Sequence, residues 1–237
     1  MRIPDDRLDI KILLNLKNEI RNFDQNPNNC LITQWFKTKN VNQPCDSKRA
    51  FTNAERFIGR DSSANYSGPG IMIYPSNRLY SKAFIGNFVM GKRQGEGVRM
   101  VLNKLYIGNY TEDRKHGSAQ IWDLSNQGQG KIFEGFYKHG LMNGQCFFKD
   151  SNHEFMGQME NGLYNGQCSI LYSNGDKFEG EMKNGVMDGY GTITYKNGDV
   201  FQGNLKNNEM TGNGKYIWAK VEQTNYNTGF VTNNYGY

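Results

Sequence analysis

The residues equipped for chemistry are few. Gly86-Asn-Phe-Val-Met-Gly91-Lys92 matches the front of a phosphate-binding loop, where backbone amides cradle phosphates and a lysine reaches them. Arg93 stands where that loop needs a serine or threonine for magnesium. His116, His139 and His153 share no metal-ligand spacing, and Cys30, Cys45, Cys146 and Cys168 form no CxxC pair. Glu179 and Glu181 resemble paired carboxylates, but alternate residues of a strand put both on one solvated face. Asn65-Tyr-Ser67 and Asn109-Tyr-Thr111 are glycosylation sequons, meaningful only in a secreted chain. None of these completes a constellation, so the expectation is no catalytic residue, no metal site, no cofactor and no enzyme.

The elements that would position such residues are set by a repeat. Phe178-Glu-Gly180-Glu-Met182-Lys-Asn-Gly185, then Gly189-Tyr-Gly191, aligns with Phe201-Gln-Gly203-Asn-Leu205-Lys-Asn-Asn208, then Gly212-Asn-Gly214. Self-similarity at a period of about 20–50 residues signals stacked supersecondary units. The frame is an aromatic at position 1, Gly at 3, an apolar or aromatic residue at 5, often Gly at 8, and Gly at 12 and 14. It recurs from residues 57, 84, 106, 133, 155, 178 and 201. Clear copies include Phe84, Gly86, Phe88, Gly95 and Gly97, and Phe133, Gly135 and Tyr137. Asp61 and Ala64 weaken the first unit, Asp113 departs from Gly at position 8 of the third, and Asn208 weakens the seventh. Cys146 and Cys168 both fall at position 14, about 10 Å apart by strand spacing, too far for a disulfide. The loop-like Gly86 and Gly91 are themselves repeat positions 3 and 8, which removes the nucleotide reading.

Alternation within each unit predicts a half-buried hairpin. Phe178, Gly180 and Met182 share one face; Glu179, Glu181 and Lys183 share the other. Asn184 to Gly189 is expected to be the hairpin turn, and Asn174-Gly-Asp176 and Asn197-Gly-Asp199 to lead into the next unit. The glycines at positions 3, 12 and 14 are expected to lie beneath the aromatic rings. The predicted fold is mostly β: an elongated single-layer antiparallel sheet of about seven stacked hairpins over 57–218, with an N-terminal α-helical extension.

Residues 1–56 form that extension. Pro4, Asp5 and Asp6 signal a helix start, and Leu8, Ile12, Leu16 and Ile20 recur every four residues, predicting a helix over about 5–23. It packs either on the chain's own sheet or in a partner's groove. Residues 24–48 read as a polar loop anchored by Leu31, Ile32, Trp35 and Phe36, and 46–56 as a short helix. Leu8, Ile12, Leu16, Ile20, Trp35 and Phe36 are the candidate partner-binding residues. Residues 219–237 read as a tail in which Gly229 and Val231 would open an eighth repeat.

Composition agrees with an ordered repeat. Hydrophobic residues make up only 37%, yet the chain has 28 Gly, 14 Tyr, 14 Phe and only 5 Pro among 237 residues. Thin sheets need less apolar content than spheres, and rings supply the buried area. The net charge of +5 is not gathered into a basic stripe, which argues against nucleic acid. The opening lacks the apolar core of a signal peptide, and no apolar run spans a membrane, so a cytoplasmic, reducing compartment is expected.

The frame Phe178-x-Gly180-x-Met182-x-x-Gly185-x-x-x-Gly189-x-Gly191 resembles the MORN repeat (membrane occupation and recognition nexus), with Met for the usual central aromatic. The resemblance covers about residues 57–218. It implies a scaffold or structural subunit that binds other proteins of a large complex and could self-associate. Such repeats occur in radial spokes and other parts of cilia and flagella, and in cytoskeletal collars. A cytoskeletal location, chiefly the cilium or flagellum axoneme, is therefore expected. Peripheral membrane or phosphoinositide-associated tethering is the alternative, ranked lower because charges within the repeats are nearly balanced.

Overall fold

A computed structural model of the chain describes residues 7–26, 30–41, 45–50, 56–59, 66–74, 83–125 and 130–219. The expected eighth repeat at Gly229 and Val231 lies outside these residues. Two compact units are present, residues 1–140 and 141–237.

The described residues of the first unit form three helices, α1 (Leu8–Leu14), α2 (Leu16–Gln25) and α3 (Leu31–Thr38), and eight strands. The strands are β1 (Cys45–Ala50), β2 (Arg56–Gly59), β3 (Gly68–Ile73), β4 (Ala83–Val89), β5 (Lys92–Val101), β6 (Lys104–Thr111), β7 (Arg114–Asp123) and β8 (Gly130–Lys138). They pair antiparallel in sequence order. The second unit holds β9 (Leu141–Lys149), β10 (His153–Glu160), β11 (Leu163–Tyr172), β12 (Lys177–Lys183), β13 (Val186–Thr194), β14 (Val200–Lys206) and β15 (Glu209–Ile217), also antiparallel and sequential.

In the units that begin at Phe57, Phe84, Phe178 and Phe201, the position-1 ring lies over the glycines at positions 3 and 14. Gly86 pairs with Gly97, and a Cβ added to Gly86 would stand 2.5 Å from Phe84 Cζ. Cβ atoms on Gly180 and Gly191 would stand 2.9 and 2.6 Å from Phe178 ring carbons, and those on Gly203 and Gly214 2.8 and 2.6 Å from Phe201. Real side chains do not fit at such distances, so the ring fills the space that the missing side chains leave. Three units carry a side chain at position 14, Ala119, Cys146 and Cys168. Beside Ala119, the Tyr106 hydroxyl would stand 2.7 Å from a Cβ added to Gly108, and it donates to the Asn109 carbonyl at 3.1 Å. Beside Cys168, Phe155 stacks on Tyr164 at 4.3 Å, as Phe57 does on Tyr66 at 4.1 Å.

The position-12 glycines are not ring seats, contrary to expectation. Gly189 sits at φ 128° where the β12–β13 register jumps from Gly180↔Gly191 to Met182↔Met187. It absorbs a bulge in a conformation that side chains resist. The hairpin turn is also shorter than expected. Asn184 and Gly185, at φ 50° and 88°, close it alone, and β13 resumes at Val186. Two residues with positive φ match the twist of the flanking strands.

Asp113 and Asn208, which depart from Gly at position 8, are connectors rather than flaws. The position-8 amide of one unit donates to the position-10 carbonyl of the unit before it: Gly185 to Tyr164 at 2.9 Å, Asn208 to Met187 at 3.0 Å, Asp113 to Arg93 at 3.1 Å. The side chains of Asn208 and Asp113 add a second link, accepting from the amides of Met187 and Arg93 at 2.9 Å each.

The N-terminal segment departs furthest from its reading. The single expected helix breaks at Asn15, between α1 and α2. The anchor Leu31, Ile32, Trp35 and Phe36 lies on helix α3 rather than in an extended loop, and Cys45–Ala50 is strand β1 rather than helix, so the sheet starts before residue 57. These helices cover the face of the sheet opposite the rings. Ile10, Ile12, Leu13, Cys30, Ile32, Trp35 and Phe36 pack with Ile58, Ile71, Ile85, Val98 and Ile107 into one core. Arg7–Glu96 at 2.9 Å and Arg56–Asp24 at 2.5 Å clamp its rim. Buried Glu19 accepts the Leu31 amide at the start of α3, where the helix dipole favours an acid.

Because a Cβ on Gly180 would meet the Gly191 backbone at 2.6 Å, Gly180→Val should cost about 2–3 kcal/mol in chemical denaturation. Exposed Glu181→Val should change stability by less than about 1 kcal/mol. Equal losses would contradict the assignment of faces.

Candidate functional site

The repeat absorbs most of the groups that could have done chemistry. Gly86 faces a ring on β4, Gly91 is a turn residue, and β5 rather than a helix follows Lys92, so no phosphate-cradling helix start forms. Cys146 and Cys168 flank Gly157 from the two neighbouring strands. Burial pushes both thiols up to about 11, which leaves them protonated and unreactive at neutral pH. Glu179 pairs with Lys177 at 2.7 Å on the exposed face, and Glu181 accepts from Gln167 at 3.1 Å.

Two histidines come together where sequence position gave no hint: the rings of His116 and His139 lie 5.3 Å apart, edge to face. In the second unit His153 contacts Asp150 through Nδ1 at 3.2 Å and the Tyr164 hydroxyl through Nε2 at 2.5 Å. Burial, with Asp150 adding to it, pushes the Tyr164 phenol up to about 12. It is a held neutral group, not an activated one. No three His, Cys, Asp or Glu side chains are grouped to hold a metal among the described residues.

The proposed partner-binding residues are mostly interior. Ile12, Trp35 and Phe36 are buried in the chain's own core, and Leu8 and Leu16 pack against it, half-buried. Ile20 is also half-buried. Ile10 and Leu13 join Ile12 on the buried face of α1, so that face is broader than the every-fourth-residue stripe. Of the two alternatives for this segment, packing on its own sheet is the one observed.

The ring face carries a feature that was not anticipated. In the first three repeats the position-10 side chains lie across the rings as lids. Tyr66 stacks on Phe57 at 4.1 Å and reaches Phe88 at 5.0 Å. The Arg93 guanidinium lies 5.8 Å from the Phe84 ring and 4.9 Å from Tyr110. Lys115 Nζ sits 4.6 Å from Tyr106 and 4.7 Å from Tyr137. Each lid thus spans its own position-1 ring and the position-5 ring of the next unit, a cation–π arrangement in two cases. Rings from Phe57 to Tyr137 form a continuous edge-to-face chain beneath them, and a tilted contact carries it on to Phe133. The sequence hides this role because position 10 varies: Tyr66, Arg93, Lys115, Met142, Tyr164, Met187 and Met210.

A third cation joins Arg93 and Lys115. Arg99 occupies position 16, between Phe84 and Tyr106 in register. Asp113 binds Arg93 at 2.8 Å. Burial, then the charges of Arg99 and Arg93, hold the Lys115 ammonium down to about 8. Burial raises the Tyr106 phenol strongly and pushes Tyr110 up to about 12.

A cation whose folded pKa is depressed costs stability while protonated. Here that cost is complete below pH 8 and fades as pH approaches the ordinary lysine value of 10.5. Lys115→Met should therefore be more stable than the parent at pH 7, by on the order of 1–2 kcal/mol allowing for partial solvation. The gap should close between pH 8 and 10.5. Urea midpoints of both proteins across that range check this, and a gap independent of pH would contradict it.

MORN repeats are matched at residues 84–100, 106–121, 133–154, 155–177, 178–200 and 201–220. The hairpin from Phe57 is not among them, though its ring stands over Gly59 and Gly70 in the same way. A curated relative, the inactive protein tyrosine kinase pTKL of Plasmodium falciparum (isolate 3D7), is 24% identical over 99 residues, 41% of this chain. The chain spans 6% of the length of that relative. With half of its residues in matched repeats, each built as a hairpin on the ring-and-glycine frame, the chain belongs to the MORN-repeat family.

Proposed function

We propose that this chain is a non-catalytic scaffold that holds protein partners within a larger cytoskeletal assembly, with the cilium or flagellum axoneme as its setting. The carrying observation is a surface. In the first unit the face opposite the rings is covered by the chain's own helices. Among the described residues of the second unit, no helix covers the corresponding face. A shallow depression of about 560 Å³ opens on it, lined by Gln145, Met156, Gln167, Glu179, Glu181 and Tyr190. Met156 is 63% exposed and Tyr190 60%. Large apolar side chains set among polar ones, on a rigid sheet, suit a protein partner.

The axonemal setting rests on the family resemblance. The non-catalytic reading rests on where the candidate groups went: thiols, histidines, carboxylates and glycines all have duties within the repeat.

A tagged copy recovered from detergent-extracted cytoskeleton should bring down discrete protein partners. Met156→Asp combined with Tyr190→Asp should keep the thermal midpoint within a few degrees and lose that recovery. Salt-sensitive flotation with anionic vesicles, without protein recovery, would favour the membrane-tethering alternative instead.

A further inference from the structure

We propose that His116 and His139 together hold one divalent transition-metal ion, of the zinc or nickel class, with water completing its coordination. The pair stands at a seam between successive repeats. Position 11 of one repeat meets position 7 of the next: the Met90 amide donates to Ser67 Oγ at 3.0 Å, and the Glu112 amide to Gln94 Oε1 at 3.1 Å. At the following seam both positions are histidine. The later seams carry Asn143 with Asn161, Asn165 with Asn184, and Asp188 with Asn207. The frame therefore needs no imidazole at either position, yet two of the three histidines of the chain meet there.

Their spacing is that of two ligands of one ion. Zinc–nitrogen bonds of about 2.1 Å at the tetrahedral angle put two imidazole centres roughly 5.3 Å apart. The observed separation is 5.3 Å. The rings are inclined at 68°, which rotation about each metal–nitrogen bond allows. His116 Nδ1 is buried and has no hydrogen-bond partner among the described residues. An unmet ring nitrogen in the interior costs free energy, and a metal ion would use its lone pair. His139 is exposed in the turn after β8, so its ring can swing a nitrogen toward the same point. An ion held there would tie that turn to β7.

The donor set selects the class. Neutral imidazole suits zinc, nickel and copper, whereas magnesium and calcium take oxygen ligands. No third His, Cys, Asp or Glu side chain joins the pair among the described residues, so water fills the other positions. Lys115 and Lys138 precede the two histidines, and their charge keeps the expected affinity modest.

The test is calorimetric titration of the metal-free full chain with zinc chloride and with magnesium chloride at neutral pH. One zinc per chain is expected, with a Kd of ~100 µM or tighter, and no uptake of magnesium. His116→Asn and His139→Asn install a residue already used at the same position in other repeats, Asn143 and Asn161. Each variant should keep the circular dichroism of the parent and weaken zinc binding at least about tenfold. His153→Asn should bind zinc as the parent does. Imidazole NMR signals of the parent give a second reading that needs no variant to fold at the site. Zinc should shift two of the three histidines and leave the third, identified with His153→Asn, in place. Absence of zinc binding, equal binding by the folded His116 and His139 variants, magnesium bound as tightly as zinc, or any other pattern of shifts overturns the site. It shares no residue with the Met156 and Tyr190 surface, so either reading can fail alone.

Discussion

One contact recurs through both units: an aromatic ring laid flat over two glycines of paired strands. A sheet one layer thick has no second layer to bury its apolar groups, so the burial must come from within the layer. A ring lying down on glycine supplies it. Phe57, Phe84, Phe178 and Phe201 do this at both of their glycines. The cost is glycine's backbone freedom in the unfolded chain, and the return is a buried ring with no helix or second sheet required. The other three units carry Ala119, Cys146 and Cys168 at position 14.

This contact frees the opposite face for other uses. Position 2 holds Ile58, Ile85 and Ile107 in the first three units, then Glu134, Met156, Glu179 and Gln202. The first three take the helices, and Met156 and Glu179 line an open surface. The same frame thus builds an internally capped segment and one that no described helix covers, by changing a position that the ring contact does not use. Position 10 is likewise free to vary, so lids of Tyr, Arg or Lys lie on similar rings and give the ring face different electrostatics from repeat to repeat.

The hairpins, their facing and the repeat phase were legible because ring, glycine and Asn-Gly turn each have one conformational reason to be where they are. The role of Gly189 was not, because a glycine needed for positive φ and a glycine needed for closeness look alike in sequence. Helix α3 escaped notice because eight residues among Asn, Gln and Lys give too short a period to read. The packing of the helices was in principle visible, in the run Ile58, Ile85 and Ile107 at a position that turns polar from Glu134 onward. The cation cluster was visible in the same way, since Arg99 breaks an otherwise uncharged column. Both signals appear only when the repeats are compared column by column at their variable positions rather than at their shared ones.

The central claim is that glycine at position 14 exists to admit the ring, and a double-mutant cycle tests it directly. At Gly214 the two atoms nearest an added Cβ would be Phe201 Cε2 at 2.6 Å and Cζ at 2.9 Å, ahead of the Gln202 carbonyl oxygen at 3.3 Å. Gly214→Ala should cost about 2 kcal/mol with Phe201 in place, and close to nothing once Phe201→Leu has removed the outer ring atoms, a coupling of roughly 1–3 kcal/mol. The same loss in both backgrounds would show that the glycine answers to the backbone alone and that the ring is a bystander.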